Sequence, residues 1–218
     1  MTANETAKGI ARFFGRGRWS GLGSMLAVVF SAYSLYATSL KQPELKIFVP
    51  PVIQYASPYQ NTNFEVFAVP VTISNDGART GTVLSLELIA RDADGKQAKR
   101  FYSGHFGTWT MERARSFQFK PFAPISMAGH SSQSDTVLFY PRHDEKVMQL
   151  VSAAGTYRFT LKVNLAEVTD LGWLDRWWRR EPQPVEFEMT LPVLDHRAFT
   201  VGTLAMHQKD WQTSVGGN

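Results

Sequence analysis

The 218-residue chain contains no cysteine. That absence removes disulfides, thiolate metal sites, cysteine nucleophiles, lipoprotein acylation and c-type haem attachment together. Paired histidines are missing too. His105, His130, His143, His196 and His207 form neither an H-x-x-x-H pair nor an HExxH motif, so a zinc site would have to be assembled across the fold. Met206-His207 has no second Met/His cluster with which to build a copper site. His143-Asp144-Glu145 reads as a solvated polar turn. Ser131, Ser132 and Ser134 lie in GHSSQSD, which is not a G-x-S-x-G elbow and precedes no helical pattern. No Gly-rich phosphate loop follows a strand pattern, and the carboxylates are scattered rather than paired. The sequence therefore offers no catalytic residue, no metal ligand set and no cofactor motif, and it reads as a non-enzyme. An exported hydrolase or metal-handling protein is a remote alternative.

Long uncharged runs are scarce, with one informative exception. Trp19–Leu40 carries no charge and is fenced by Arg16 and Arg18 before it and Lys41 after it. As an α-helix, about 22 residues at ~1.5 Å each span roughly 33 Å, close to the hydrocarbon core of a bilayer. We read residues 19–40 as a single transmembrane anchor. The run holds five serines, two glycines and a threonine, a composition that favours close helix packing over simple tethering. A cleaved signal peptide is the competing reading, with an apolar core over Leu22–Phe30 and Ala32-Tyr33-Ser34 as a weak cleavage site. Against it, the uncharged run continues past that site and carries Tyr33 and Tyr36 near its far end, where an aromatic belt belongs.

Acidic residues are nearly absent ahead of that run. Lys8, Arg12, Arg16 and Arg18 stand against Glu5 alone, so residues 1–18 form a cytoplasmic basic arm and the bulk of the chain lies outside. Phe13 and Phe14 in that arm are compatible with inner headgroups or with a solvated tail. The formal net charge is +4, and the arm supplies most of it, leaving a nearly neutral exported part. The positive balance therefore speaks for anionic lipid and not for nucleic acid.

Beyond the anchor, helical periodicity is almost missing and period-2 alternation prevails. LKIFVPPVIQYA reads as an edge strand kinked at Pro50-Pro51. In residues 63–75, Phe67, Val69, Val71 and Ile73 share a face, and Asn75-Asp76-Gly77-Ala78 makes a turn. Gly81–Arg91 places Leu84, Leu86 and Leu88 on one face. A short strand over Ala98–Tyr102 precedes a loop, Ser103–Arg115, with Phe106, Trp109 and Met111. Arg115–Lys120 and Thr136–Tyr140 are further candidates, followed by Gly155–Leu165 and Val185–Leu191. Seven or eight short strands with regular turns predict a mainly β domain of the sandwich class over residues 41–192, with a C-terminal tail over 193–218.

Leu150-Val-Ser-Ala-Ala-Gly-Thr-Tyr157 resembles the corner before the penultimate strand of immunoglobulin-like domains, where a tyrosine hydroxyl bonds back to upstream backbone. The resemblance spans roughly residues 45–192. It implies an immunoglobulin-like or fibronectin-like β-sandwich, without the cysteine pair or the strand-C tryptophan, and it implies no particular function.

One segment breaks the β rhythm. Thr169–Arg180, TDLGWLDRWWRR, placed at about 100° per residue, gathers Leu171, Trp173, Leu174, Trp177 and Trp178 on one side. Gly172, Asp175, Arg176, Arg179 and Arg180 gather on the other. Thr169 can cap its start and Pro182 helps stop it. A helix this short needs a surface, either the domain's own core or a lipid or partner interface. An immunoglobulin-like topology puts it at the end where the first strand begins, beside the membrane. Its tryptophans then face acyl chains or a neighbouring span, with the arginines near phosphates or acidic side chains.

The expected protein is a non-enzymatic, single-span accessory subunit of a bacterial inner-membrane complex. Its N-terminus would be cytoplasmic and its domain periplasmic, its partners other membrane-protein subunits and the bilayer. Phe106, Trp109, Met111 and Trp211 are secondary interface candidates. The alternative is a free-standing membrane-anchored module binding cell-wall or small-molecule ligands through Phe106 and Trp109.

Overall fold

In the computed structural model, residues 23–56, 65–92, 94–107, 119–142, 149–166, 182–192 and 203–209 are described. The chain divides into two compact units, Met1–Lys41 and Gln42–Asn218. In the first, helix α1 runs from Gly23 to Leu40. Its last turn widens, with Lys41 N–H donating to Tyr36 O at 2.8 Å and Thr38 Oγ1 donating to Ser34 O at 2.7 Å. The bond reaches five residues back instead of four, the geometry of a π-turn.

The second unit is built from strands β1 (Leu45–Phe48), β2 (Val52–Ala56), β3 (Val66–Asn75), β4 (Gly81–Arg91), β5 (Ala98–Phe106), β6 (Lys120–Pro121), β7 (Ile125–Met127), β8 (Ser131–Pro141), β9 (Gly155–Leu165), β10 (Val185–Leu191) and β11 (Thr203–His207). Alternation explains most of them. Phe67, Val69, Val71 and Ile73 of β3 are all buried, as are Tyr157, Phe159 and Leu161 of β9. Each such side chain is worth about 1.5–3 kcal/mol when removed from water. Phe67 stands at the centre of the core, with Tyr55, Phe101 and Phe159 rings at 5.1, 4.8 and 5.3 Å.

The immunoglobulin-like β-sandwich expected from the strand rhythm does not form. The hydrogen-bonded order β5-β8-β3-β2-β11-β10-β9-β4 returns to β5, a closed antiparallel barrel of eight strands, with β1, β6 and β7 added at its sides. Two features close it. Strand β5 pairs with β4 through Ala98–Tyr102 and with β8 through Phe101–Phe106, so it belongs to both would-be sheets. Strand β11, within the segment expected to be a tail, pairs with β2 on one side and β10 on the other. A sandwich keeps open edges, whereas closure gives them partners. The tyrosine corner nevertheless forms: Tyr157 is buried and its hydroxyl donates to Ala153 O at 2.7 Å. That corner satisfies local backbone groups and does not decide between a sandwich and a barrel.

The buried side chains are mainly apolar, while Arg158, Lys162, Glu186 and Glu188 of β9 and β10 are exposed on the outer wall. A membrane-spanning barrel has the opposite arrangement, an apolar outer band around a polar interior. A smaller cluster lies across the wall from the core, where Ala56, Val66, Ala68 and Leu138 pack with Phe119 and Tyr140.

Candidate functional site

Three places on the barrel hold polar or exposed apolar groups in specific arrangements. The first is a clasp around Asn75, which is 1 % exposed. Its Nδ2 donates to Arg79 O, Met127 O and Ala128 O at 2.8, 3.2 and 3.1 Å. Its Oδ1 accepts from Glu44 N–H and Gly77 N–H at 3.1 and 3.0 Å. One side chain thus ties the stretch before β1 to the β3–β4 turn and the β7–β8 connection. Gly77 is required by close approach, since a Cβ there would sit 2.0 Å from Gln42 O. Asp76 N–H donates to Glu44 O at 2.9 Å and its carboxylate pairs with Lys46.

The second is a buried ionic network at the opposite end. Glu65 and Lys99 are fully buried, with Lys99 Nζ 2.7 Å from Glu65 Oε2. Glu65 Oε1 accepts from Tyr55 OH at 2.8 Å and from Leu150 and Val151 N–H at 2.9 and 3.2 Å. Burial, then the adjacent Glu65 charge, push the Tyr55 hydroxyl far above its ordinary range, so it remains a proton donor. Each of these groups has a partner among the described residues, so the network ties β2, β3, β5 and the stretch before β9 together. The desolvation of two buried charges offsets much of their mutual attraction, so the pair is weak evidence for added stability.

The third is an open groove of about 480 Å³ where the chain kinks between β1 and β2. It is lined by Phe48, Val49 and Pro50 on one side and by Pro70, Thr72, Ser134 and Thr136 of β3 and β8 on the other. Phe48 is 56 % exposed, and the Thr72 and Ser134 hydroxyls are 2.8 Å apart. The kink places Pro70, which has no N–H, in the stretch of β3 between its pairings with β1 and β2.

The residues singled out by sequence fare differently. Phe106 ends β5, 9 % exposed, with its ring stacked on Phe122 at 4.7 Å, so it faces the core and offers no platform. Trp109, Met111 and Trp211 lie outside the described residues, as do Leu171, Trp173, Leu174, Arg176, Trp177, Trp178, Arg179 and Arg180. The described residues flanking that last segment are placed. Leu165 pairs with Val83, near the start of β4, and Val185 pairs with Leu161. Both positions share the end of the barrel at which Leu45 pairs with Asn75. Phe48 and the Glu65–Lys99 pair carried no signal in the sequence. Phe48 sat in an ordinary strand pattern, and the pair is 34 residues apart.

Among the described residues, no group of three His, Asp or Glu side chains is placed to hold a metal ion. His105 packs against the rings of Tyr140 and Phe119 at 5.4 and 6.1 Å.

No protein-family model matches the chain, and no curated protein matches it. Several solved structures are similar to it in part, among them the following two. A Bordetella pertussis protein provisionally named ApaA is 14% identical, covering 78% of this chain and 97% of its own, with a TM-score of 0.30. An uncharacterised β-sandwich protein from Clostridium difficile 630 is 6% identical, covering 68% and 89%, with a TM-score of 0.31. Similarity at that level assigns neither a fold family nor a function.

Proposed function

We propose that this chain is a non-enzymatic, single-span accessory subunit of a bacterial inner-membrane protein complex, with its N-terminus cytoplasmic and its barrel on the outer face. One observation carries the reading. Helix α1 is apolar over 18 residues, and Met25, Leu26, Val28, Val29, Phe30, Tyr33 and Leu35 are all exposed along it. A helix apolar all round is covered either by lipid or by protein. Its length, about 27 Å at ~1.5 Å per residue, suits the hydrocarbon core. Its mean hydropathy of 1.3 is modest, and its many small and hydroxyl side chains favour a packed neighbouring span. The basic arm favours a cytoplasmic N-terminus, and the charged outer wall of the barrel suits an aqueous compartment.

In this reading Trp173, Trp177 and Trp178 would meet acyl chains or a partner subunit. Arg176, Arg179 and Arg180 would meet phosphates or acidic side chains.

The test is topological. A reporter fused after Asn218 is expected to be active only outside the cytoplasm, in a mature protein whose N-terminus maps near Met1 by mass spectrometry. A mature N-terminus near Leu35 would replace the anchor with a signal peptide. Recovery of the chain without any membrane-protein partner in mild detergent would remove the subunit role.

The groove at Phe48 favours a second reading, a membrane-anchored module for cell-wall or small-molecule ligands. Binding of a muropeptide to the purified barrel, abolished by Phe48→Ala, would select it over the subunit role.

A further inference from the structure

Glu65 and Lys99 sit where ions are least favoured. Neither side chain has any exposed surface, and the Phe101 ring centroid lies 5.6 Å from Lys99 Nζ. In water, hydration keeps an ammonium and a carboxylate as separate ions, and burial removes that hydration from both. A product in which both charges have gone is therefore favoured here far more than in water.

The two oxygens of the carboxylate are held differently. Oε1 accepts from Tyr55 OH, Leu150 N–H and Val151 N–H, whereas Oε2 accepts from Lys99 Nζ at 2.7 Å. Three donors converging on one acyl oxygen form the arrangement that stabilises an oxyanion in acyl transfer. A carbon–oxygen bond is about 1.2 Å long. Nζ therefore lies no more than about 3.9 Å from the Glu65 carboxyl carbon, close to the ~3–3.5 Å of a near-attack arrangement.

We propose that Lys99 and Glu65 condense in the folded barrel to an isopeptide bond, tying β5 to the residue that precedes β3. The ammonium first passes one proton to Oε2, leaving a neutral amine and a neutral acid. A small rotation about the Lys99 Cδ–Cε bond then carries Nζ over the face of the carboxyl carbon. Its lone pair bonds to that carbon while the C=O π pair moves onto Oε1, held there by Tyr55 and the two amides. Nζ gives a second proton to Oε2. The C–Oε2 bond breaks, Oε2 leaves as water, and the electron pair on Oε1 restores the C=O bond. The third ammonium hydrogen stays as the amide N–H, so one water is lost and no oxidant, reductant or cofactor is consumed. Strands β3 and β5 both pair with β8, so the bond clamps that strand between its neighbours. In a chain without cysteine, it is a covalent tie that a disulfide does not supply.

Mass spectrometry of the full chain, folded in mild detergent, tests this without any substitution. A tryptic digest is expected to contain a branched peptide joining Glu65 to Lys99, one water lighter than its two parts. Lys99→Arg keeps a cation but removes the amine, and should abolish both the branch and the water loss. A chain held in urea from inclusion bodies should lack the branch and acquire it on refolding. Unlinked peptides carrying Glu65 and Lys99 at their full mass would overturn the proposal. So would a lost water that maps elsewhere, for example to Asp76-Gly77, or a branch already present in the unfolded chain.

Discussion

Asn75 and Glu65 do similar work at opposite ends of the barrel, each joining segments distant in sequence, but their energetics differ. Asn75 is neutral, and its bonds each contribute about 1 kcal/mol net. Glu65 is a buried charge, whose partners chiefly offset its desolvation. Lys99→Met is therefore expected to lower barrel stability by about 3–5 kcal/mol, because it strands an uncompensated carboxylate. Adding Glu65→Gln to that variant should recover most of the loss. The glutamine oxygen can still accept from Tyr55 and from the Leu150 and Val151 amides. Urea-unfolding midpoints of the single and double variants check both statements, and equal midpoints would mean the pair is not coupled. At this scale the sequence was legible only where partners are near in the chain. Tyr157 and Ala153 lie four apart, and the corner could be read directly. Glu65 sits in an ordinary strand-like stretch, and nothing local names Lys99 as its counterion.

Strands were readable wherever alternation is unbroken, and misread where it breaks. Leu84, Leu86 and Leu88 were expected on one face, but the register shifts between Val83 and Ser85. That bulge turns Leu84 outward, 45 % exposed, while Leu86 and Leu88 are fully buried. A bulge adds one residue to one strand and re-aims its side chain. A pattern of residue types does not record that extra residue. Leu84→Ser should change stability by less than about 0.5 kcal/mol, whereas Leu86→Ala should cost about 2–5 kcal/mol. Thermal melts of the two variants separate the bulge from the unbroken alternation, which predicts similar losses for both. Strand β5 was cut short for a related reason. Its register shifts between Ser103 and His105, at Gly104, where a Cβ would lie 2.7 Å from the Tyr140 ring. Ser103-Gly104-His105 therefore looks like a loop in sequence while serving as the seam that joins β4 to β8.

For the whole molecule, alternation tells which side chains face inward but not whether the sheet that bears them is split or closed. The sandwich expectation failed there. Closure rests on β5 serving two neighbours and on β11, a five-residue strand whose sequence lacks clear alternation. The helix and barrel were separable by eye, because charge and serine content change abruptly at Lys41. The two units imply that residues 42–218 fold without α1 and melt close to the full chain in detergent. A chain starting at Leu45 loses the Glu44 bonds to Asn75 and Asp76, worth about 2 kcal/mol together. It should melt roughly 4–8 °C lower by scanning fluorimetry. Equal melting of the two truncations would remove the clasp from the account. The closing strand also has a consequence in time. Among the described residues β11 follows the other strands in chain order, so on a ribosome or in a translocation channel it emerges after β1–β10. Until it does, β2 and β10 keep bare edges of the kind that invite mispairing. The interval before His207 is released is when the nascent domain is most exposed to aggregation and most dependent on a chaperone.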